Sequence, residues 1–412
     1  MPTYLTPGIY IEEISTGPRP IEAVGTSTAA FIGVAPNPEA RPHEAVAINN
    51  WSQFVKEFSA EGNASTPLAQ AVFGFFQNGG GRCYVVNAGP KQELIGDGRQ
   101  RKGIDLLEEV DEIAIVAAPG FSDAASYDTL LSHCEKLKDR VAILDPPEDV
   151  PNIDLLKTVV TTGPAPKPKK PPDGAAGTTA TTPPPPTGLR PRTSDGGYGA
   201  FYFPWITVRD PFSPKDLINA PPSGHVAGIY ARTDATRGVH KAPANETIRG
   251  ALDLTYKVTR EEQGELNRLG INCIRLFPTQ GIRVWGARTV ADSASEWRYL
   301  NVRRLFNMIE ESIANGTRWV VFEPNDMALW KSIRRDVSAF LMLQWRQGAL
   351  MGATPEEAFF VQCDEETNPP EVIDAGMVIT VIGIAPVKPA EFVIFRIGQG
   401  AGGAETETQG GM

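Results

Sequence analysis

The stretch GARTVADSASEWRYLNVRRLFNMIEESI (286–313), followed by RWVVFEPNDMALWKSIRRDVSAFLMLQWRQGAL (318–350), contains the two strongest helical patterns of the chain. Apolar residues recur in both segments at three- and four-residue spacing, as they do along one face of an α-helix. In the first segment these residues are Val302, Leu305, Phe306, Ile309 and Ile313. In the second they are Leu329, Trp330, Ile333, Val337, Phe340 and Leu341. We therefore predict two amphipathic helices.

Cations lie off both apolar stripes, so we interpret the block as a packing unit with a basic face. They are Arg298, Arg303, Arg304, Lys331, Arg334, Arg335 and Arg346. Asn325-Asp326 before the second pattern indicates a helix start, and Gly348 indicates its end. The β-favouring run Arg318–Phe322 predicts a short strand between the helices. No catalytic residue set is visible here, so the block is typical of a structural unit.

Composition excludes several classes of function. The chain has 412 residues, is 41% hydrophobic and carries a net charge of −10, which argues against a generic nucleic-acid binder. The longest apolar run, Met377–Pro386, is too short to span a bilayer, and the first residues do not resemble a signal peptide. We therefore expect synthesis in a reducing cytoplasm without insertion into a membrane.

Cysteine spacing predicts neither a metal site nor a disulfide framework. Cys83, Cys134, Cys273 and Cys363 are widely separated, and no C-x-x-C motif is present. Buried, reduced thiols are the expected state of all four residues.

From about residue 104 short apolar strands alternate with helical segments. This order predicts a mixed α/β fold with a mostly parallel sheet. The predicted strands are Thr28–Val34, Cys83–Val86, Ile113–Ala117, Val141–Leu144, the run Tyr198–Val208, and Ile271–Leu276. The predicted helices are Trp51–Phe58, Leu68–Phe76, Tyr127–Leu137, Ile153–Val160 and His225–Tyr230.

Both ends of the chain carry apolar strand patterns without an evident partner. At the N-terminus, Tyr10, Ile11 and Ile14 follow Pro7-Gly8, and at the C-terminus Ala375–Ile384 and Glu391–Ile397 are β-rich. Such strands need a sheet edge, either within their own chain or on a neighbouring subunit. The final residues 399–412 are polar and glycine-rich, which is typical of a flexible tail.

Residues 163–194 interrupt the pattern with a segment rich in Pro, Thr, Gly and Ala. It has almost no large apolar side chains to offset the entropy of ordering it. Because the globular pattern resumes at once, we interpret it as a disordered insertion at a surface turn.

Three local patterns suggest other functions but carry little weight. The glycines of residues 78–82 lack the ending of a phosphate loop and stand in the wrong structural order. Ser223, His225, Asp234 and His240 suggest a hydrolase triad, but no G-x-S-x-G turn is present. The aromatic run Tyr198–Trp205, interpreted as exposed, would suit a surface- or carbohydrate-binding α/β module of a larger particle, which is the alternative function.

Several motifs in sequence order resemble the contractile tail sheath family of phages and extracellular contractile injection systems. They are Tyr4–Ile14, Gly17–Ile21, Gly25–Gly33, Asn78–Gly80, Cys83–Val86, Gly228–Asp234, Lys241–Asn245, Trp285–Thr289, Trp297–Arg304, Phe322–Asp326 and Leu329-Trp330. The departure from the family pattern is the insertion at 163–194.

The resemblance implies a non-catalytic subtilisin-like α/β domain, a C-terminal α+β sheath domain and extended strand arms at both termini. The expected division of the chain follows from it. The ranges are an arm at 1–24, the N-terminal part of the core at 25–90, the subtilisin-like domain with its insertion at 91–284, the sheath domain with its arm at 285–398, and the tail at 399–412.

The family's function implies a subunit that polymerises, as stacked hexameric rings, around an inner tube and contracts to drive it through a target envelope. The arms would add strands to neighbouring subunits, with hinges at 15–20 and 386–390. The candidate arm residues are Tyr10, Ile11, Ile14, Phe392, Ile394 and Phe395. Lys331, Arg334 and Arg335 are candidates for the contact with the inner tube, although a solvated or intra-sheath face fits these charges equally well.

No catalytic residue, cofactor or metal is expected. The implied partners are further copies of the chain, the inner tube protein, baseplate and cap proteins, and sheath paralogues in particles that have them. Nucleic acid is not among them. The resemblance places assembly in the cytoplasm of the producing cell and the product in a phage tail or a released particle.

Overall fold

The structure, a computed structural model, describes residues 20–96, 100–161 and 188–394. Its strands are β1 (Ala29–Gly33), β2 (Ala45–Ile48), β3 (Cys83–Asn87), β4 (Ile115–Ala117), β5 (Val141–Leu144), β6 (Gly199–Phe203), β7 (Ile206–Arg209), β8 (Leu217–Ala220), β9 (Glu246–Thr247), β10 (Asp253–Leu254), β11 (Ile271–Phe277), β12 (Gly281–Val284), β13 (Phe359–Gln362) and β14 (Val381–Ile384).

Its α-helices are α1 (Trp51–Phe58), α2 (Pro67–Gln77), α3 (Ala124–Leu137), α4 (Ser223–Arg237), α5 (Arg260–Arg268), α6 (Leu300–Gly316), α7 (Met327–Arg346), α8 (Pro355–Ala358) and α9 (Pro370–Asp374). Short 3₁₀ helices span Ile104–Glu109, Ile153–Lys157, Glu296–Arg298 and Arg318–Val320. The mixed α/β fold class is therefore confirmed.

Nine strands form one sheet in the order β2-β3-β1-β4-β5-β6-β11-β12-β9. The five pairings from β3 to β11 are parallel, whereas β2, β12 and β9 add antiparallel strands at the edges. A small sheet of β10, β7 and β8 stands beside it. The sheet takes strands from both sides of residue 90, so residues 25–90 and 91–284 share it.

The central strands are apolar on both faces because helices cover both faces of the sheet. Phe31 of β1 packs on one side with Val72 and Tyr230 of α2 and α4. Its neighbour Ile32 packs on the other side with Leu131 and Leu266 of α3 and α5. This alternation follows the two-residue repeat of a strand.

A third core lies in the C-terminal part of the chain, where α6 and α7 contribute Leu305, Ile309, Ile333, Val337, Phe340 and Leu341. These are the apolar positions predicted from the opening stretch. The side chain of Asp326 accepts a hydrogen bond from the Leu329 amide at 2.9 Å, so the predicted cap of α7 is confirmed.

The structure corrects several predicted elements. Residues 318–320 form a 3₁₀ helix, so the strand predicted at Arg318–Phe322 is wrong. Only Val381–Ile384 of the longer predicted strand is a strand, and Ile153–Lys157 is a 3₁₀ turn. The insertion is shorter than predicted at its end, because Leu189 is buried and Arg190 bridges to Val159. Its remainder, residues 163–187, lies outside the described residues.

The basic face predicted for this block does not include Arg303 and Arg304. Arg303 and Arg304 are each only 3% exposed. The Arg303 guanidinium lies over the rings of Trp297 and Tyr198, at 4.1 and 4.7 Å from their centroids. Stacking on aromatic rings and hydrogen bonding allow these two cations to be buried.

Candidate subunit interface

In the two-stranded sheet of β13 and β14, the outer edge of each strand pairs with no further strand within the described residues. Phe359, Val361, Ile382 and Ile384 pack onto the core of α6 and α7. On the outer face Phe360 is 57% exposed and Val381 is 43% exposed. Two-stranded sheets are marginal by themselves, and free edges accept additional strands. This sheet can therefore receive strands from other chains.

The C-terminal segment leaves the body as an exposed apolar chain. Phe392, Val393 and Ile394 are 74%, 70% and 79% exposed. The strand predicted at Glu391–Ile397 is absent from residues 391–394, because no other described segment pairs with them as a strand to supply backbone partners. The other candidate arm residues, Tyr10, Ile11, Ile14 and Phe395, lie outside the described residues.

The root of the N-terminal arm is attached to α6. Ile21 is buried against Gly316, where an added Cβ would stand 2.7 Å from the Ile21 side chain. The Val24 amide donates to Ser312 Oγ at 3.0 Å. Arg304 Nη2 donates to the carbonyl of Thr26 at 3.0 Å. The first described residues are therefore part of the packed body.

Arg304 is also half of a buried ion pair. Its Nη2 lies 2.6 Å from Oδ2 of Asp234, which also accepts a hydrogen bond from the Thr26 hydroxyl at 2.6 Å. The guanidinium lies 4.6 Å from the centre of the Tyr230 ring. Arg304 of α6 thus links Asp234 of α4 to Thr26 in the N-terminal segment.

Three candidate inner-tube residues, Lys331, Arg334 and Arg335, are exposed on α7. Arg335 Nε donates to Oδ1 of Asp336 at 2.9 Å, and the Asp336 side chain is only 2% exposed. Arg335 is therefore held in place, whereas Lys331 and Arg334 form no ion pair with the part of the chain that the structure describes.

Apolar side chains border this basic surface. Phe322 is fully exposed, with a left-handed backbone (φ 70°), and Val321 and Met327 are 64% and 49% exposed. A left-handed bulky residue is uncommon and strained. The side chain of Asn325 donates to the Met377 carbonyl at 2.8 Å, which places the α9–β14 connection beside this patch.

A groove of about 870 Å³ separates the C-terminal segment from the body. Arg237, Lys241 and Arg260 line it on one side, and Trp285 and Tyr299 also contribute. Lys388, Glu391 and Phe392 of the C-terminal segment form the other wall.

The residues that suggested a hydrolase do not form a triad. Ser223 Oγ donates to Asp145 Oδ2 at 2.5 Å, and its amide donates to Oδ1 at 2.8 Å. Asp145 thus caps the start of α4. His225 is buried, its ring nitrogens make no hydrogen bond to any residue that the structure describes, and its pKa is lowered by burial to about 4. Asp234 is engaged by Arg304. Among the described residues, Ser223 is therefore bonded to the Asp145 carboxylate and not to a histidine.

The aromatic run that suggested a glycan-binding face is buried. Tyr198 and Trp205 are each 7% exposed, and Phe201, Tyr202 and Phe203 are 1% exposed or less. The rings of Tyr198, Phe201, Tyr202 and Phe203 belong to the two cores flanking the sheet, so the premise of the binding-module alternative is wrong.

All four cysteines are free and buried, as predicted. Burial raises the pKa of Cys83 and Cys134 far above the ordinary value and that of Cys273 to about 12. Among the described residues we find no cluster of three metal-binding side chains and no helix long and apolar enough to cross a membrane.

The sequence-based predictions included neither the Arg304–Asp234 pair, nor the Asp145–Ser223 cap, nor a structural role for Glu391. A signal for the pair was present, because both partners lie in motifs shared with the sheath family, Gly228–Asp234 and Trp297–Arg304. For the Asp145–Ser223 cap, the only indication in the sequence was the position of Asp145 at the end of a predicted strand.

Comparison with known proteins agrees with the resemblance. Residues 192–290 match the phage tail sheath protein central domain, and residues 292–399 match the phage tail sheath C-terminal domain. The chain is 31% identical over 176 residues to the tail sheath protein of Vibrio phage KVP40, covering 42% of this chain and 25% of that protein. It is 25% identical over 195 residues to that of Enterobacteria phage T4, covering 47% of this chain and 29% of that protein. The matched region spans less than a third of both phage proteins.

Solved structures match over almost the whole chain. The sheath complex of the extracellular contractile injection system PVC in its contracted state is 30% identical, with a TM-score of 0.75, covering 97% of this chain and 99% of that one. The contracted helical sheath of the anti-feeding prophage is 29% identical, with a TM-score of 0.72, covering 96% and 100% of the two chains. The chain therefore belongs to the phage tail sheath family.

Proposed function

We propose that this chain is the structural subunit of a contractile sheath, assembled from many copies around an inner tube. The observation that carries this proposal is the β13–β14 sheet with its two open edges, in a chain whose residues 392–394 are apolar and exposed. A free edge and an unpartnered apolar segment in one subunit complement each other across copies. The similarity to contracted sheaths supports the same assembly.

Strand exchange would link the subunits into a mesh. Each backbone hydrogen bond contributes only about 1 kcal/mol net, but several bonds per arm, repeated over many copies, hold neighbours together while their bodies re-pack. Residues 9–14 and 391–397 are the proposed arms. Contraction would then move the bodies without breaking the chain of strands, and would drive the tube forward.

The inner-tube contact is proposed for the exposed cations of α7. Lys331 and Arg334 would approach an acidic tube surface, and Arg335 would be oriented by Asp336. Further copies of the chain would form stacked hexameric rings. Besides the inner tube protein, the proposed partners are baseplate and cap proteins. The similarity to the anti-feeding prophage baseplate structure, at 30% identity and TM-score 0.71, supports the baseplate contact.

We propose that the subunit has no catalytic activity, because the hydroxyl and the amide of Ser223 are both engaged by Asp145, which caps α4. Assembly in the producing cell, in a phage tail or a released contractile particle, is part of the same proposal. The division of the chain at residues 90, 284 and 398 stays a prediction, supported near 284 by the family regions that meet at 290–292.

Negative-stain electron microscopy of the protein, expressed alone and with its genomic neighbours, tests the proposal. Hollow tubes with a regular axial repeat are expected. Val381→Lys, which places a charge on the open sheet, should abolish tubes and leave a folded subunit. Leu252→Lys is the control, since Leu252 is 51% exposed away from that sheet. Dispersed globular particles under both conditions would contradict the sheath function.

A further inference from the structure

Residues 385–387 are fastened to the body by backbone hydrogen bonds. The bonds are Met351 N to Ala385 O at 2.8 Å, Ala385 N to Ala358 O at 2.9 Å, and Val387 N to Ala349 O at 3.2 Å. The side chain of Asn301, at the start of α6, donates to the Val387 carbonyl at 3.0 Å. The proline-containing link at 386–390 is therefore held at its first residues.

Glu391 fastens the other end of this link. Arg288 donates through Nε to Oε1 at 2.8 Å and through Nη2 to Oε2 at 2.6 Å. Asn267 Nδ2 donates to Oε1 at 2.8 Å. We call these three residues the Glu391 clasp. Two parallel bonds from one guanidinium fix both the position and the orientation of the carboxylate.

The clasp is built into the body and is largely removed from solvent. The side chains of Arg288 and Glu391 are 12% and 19% exposed. Arg288 Nη1 also donates to the Asn267 carbonyl at 3.2 Å, and the Arg288 amide donates to Asn272 Oδ1 at 2.7 Å. Burial alone would raise the pKa of Glu391, but the hydrogen bonds from Arg288 and Asn267 lower it below its usual value. The carboxylate is thus stabilised in its charged form.

Burial changes abruptly after the clasp. Glu391 is held by three hydrogen bonds, whereas the side chain of Phe392, the next residue, is 74% exposed. Residues 387–393 of this segment line the groove of about 870 Å³. The attached part of the segment therefore ends at Glu391.

We propose that the Glu391 clasp is the anchor of the C-terminal strand arm, so that the arm pivots after residue 391 and not within residues 386–390. This inference rests on the proposed sheath function. It replaces the hinge expected from the prolines of this link. Glu391 and Arg288 are then positioning residues, which set the direction in which the apolar strand reaches a neighbouring subunit.

Glu391→Gln tests the clasp in the full-length chain, because it removes the charge and keeps the shape. The matched control is Glu135→Gln, which breaks an equally bidentate pair with Arg192, at 3.0 and 2.9 Å, far from the C-terminal segment in sequence. Hydrogen exchange of the soluble subunit, read by mass spectrometry, reports on the Ala385 and Val387 amides. We expect their exchange to be about tenfold faster in Glu391→Gln and unchanged in the control.

Electron microscopy of the same variants, co-expressed with the genomic neighbours, provides the second readout. Glu391→Gln should give few or irregular tubes, and Glu135→Gln should give wild-type tubes. Unchanged exchange in Glu391→Gln would overturn the clasp, and faster exchange with wild-type tubes would overturn its role in directing the arm. If the wild-type protein forms no tubes, the sheath function fails instead, and the exchange result still decides whether the clasp holds the link.

Discussion

Arg304 Nη2 lies 2.6 Å from Asp234 Oδ2, and the two side chains are only 3% and 6% exposed. The same guanidinium donates to the Thr26 carbonyl at 3.0 Å. This pair joins α6 of the C-terminal part to α4 of the sheet-containing part, at the point where the N-terminal root attaches. It therefore couples the body to the segment proposed to reach a neighbouring subunit.

Arg304→Met should lower the free energy of unfolding by about 3–5 kcal/mol, because it leaves the Asp234 carboxylate buried and unpaired. Urea unfolding measures the change, and hydrogen exchange at Val24 should accelerate with it. Glu135→Gln, which breaks a more exposed pair, should cost less than about 1 kcal/mol. Similar losses from both variants would contradict a special role for the buried pair.

The raised pKa of Asp145 predicts that the stability of the fold depends on pH. Burial raises its pKa from 3.8 to about 7, although hydrogen bonds from Ser223 act in the opposite direction. The protonated form is favoured in the folded state, so its stabilising contribution is complete below about pH 4 and is lost as pH rises through about 7. Asp145→Asn should flatten this part of the stability profile, measured by thermal unfolding between these pH values.

The control for that profile is Asp154→Asn, at a side chain that is 64% exposed. It should keep the wild-type slope. An unchanged slope in Asp145→Asn would mean that another group titrates in this range.

Gly224 should not tolerate a side chain. A Cβ at this position would stand 2.2 Å from the Ala71 carbonyl oxygen, where α4 crosses α2. Gly224→Ala should therefore destabilise the fold by about 1–3 kcal/mol through overpacking. Gly264 of α5 has nothing within 4 Å of such a Cβ, so Gly264→Ala should stabilise by about 0.5–1 kcal/mol. Opposite signs in urea unfolding are the expected result.

The proposed inner-tube contact predicts a selective loss of assembly. Lys331→Glu with Arg334→Glu should leave the unfolding temperature within a few degrees of wild type, because both residues are exposed, and should abolish co-sedimentation with the inner tube protein. Lys215→Glu, also exposed, is the control. Wild-type co-sedimentation by the double variant would indicate that this face of α7 is solvated or lies between sheath subunits.

The cysteines should be unreactive in the folded subunit. All four are buried, and burial raises the pKa of Cys83, Cys134 and Cys273. Because the thiolate is the reactive form, a thiol reagent should modify them only on unfolding. Labelling of more than a trace at pH 8 would show that a core opens locally.

Local patterns sufficed where a segment's structure depends on its own residues. Helices α6 and α7, the cap at Asp326 and the strand Val141–Leu144 follow from periodicity and capping. The run Arg318–Phe322 was misassigned because its β-favouring side chains lie in a tight connection between two packed helices. Glu391–Ile397 has a strand pattern, but residues 391–394 have no neighbouring strand among the residues that the structure describes.

The sequence alone thus determined the mixed α/β class, the apolar stripes of the helices and membership of the sheath family, since each depends on residue order. Only the tertiary structure decided which charges are buried. Arg304 meets Asp234 across 70 residues and Thr26 across 278, and Arg288 meets Glu391 across 103. Periodicity describes the faces of one element, whereas the partner that lets a cation leave water is supplied by a distant segment only once the chain has folded.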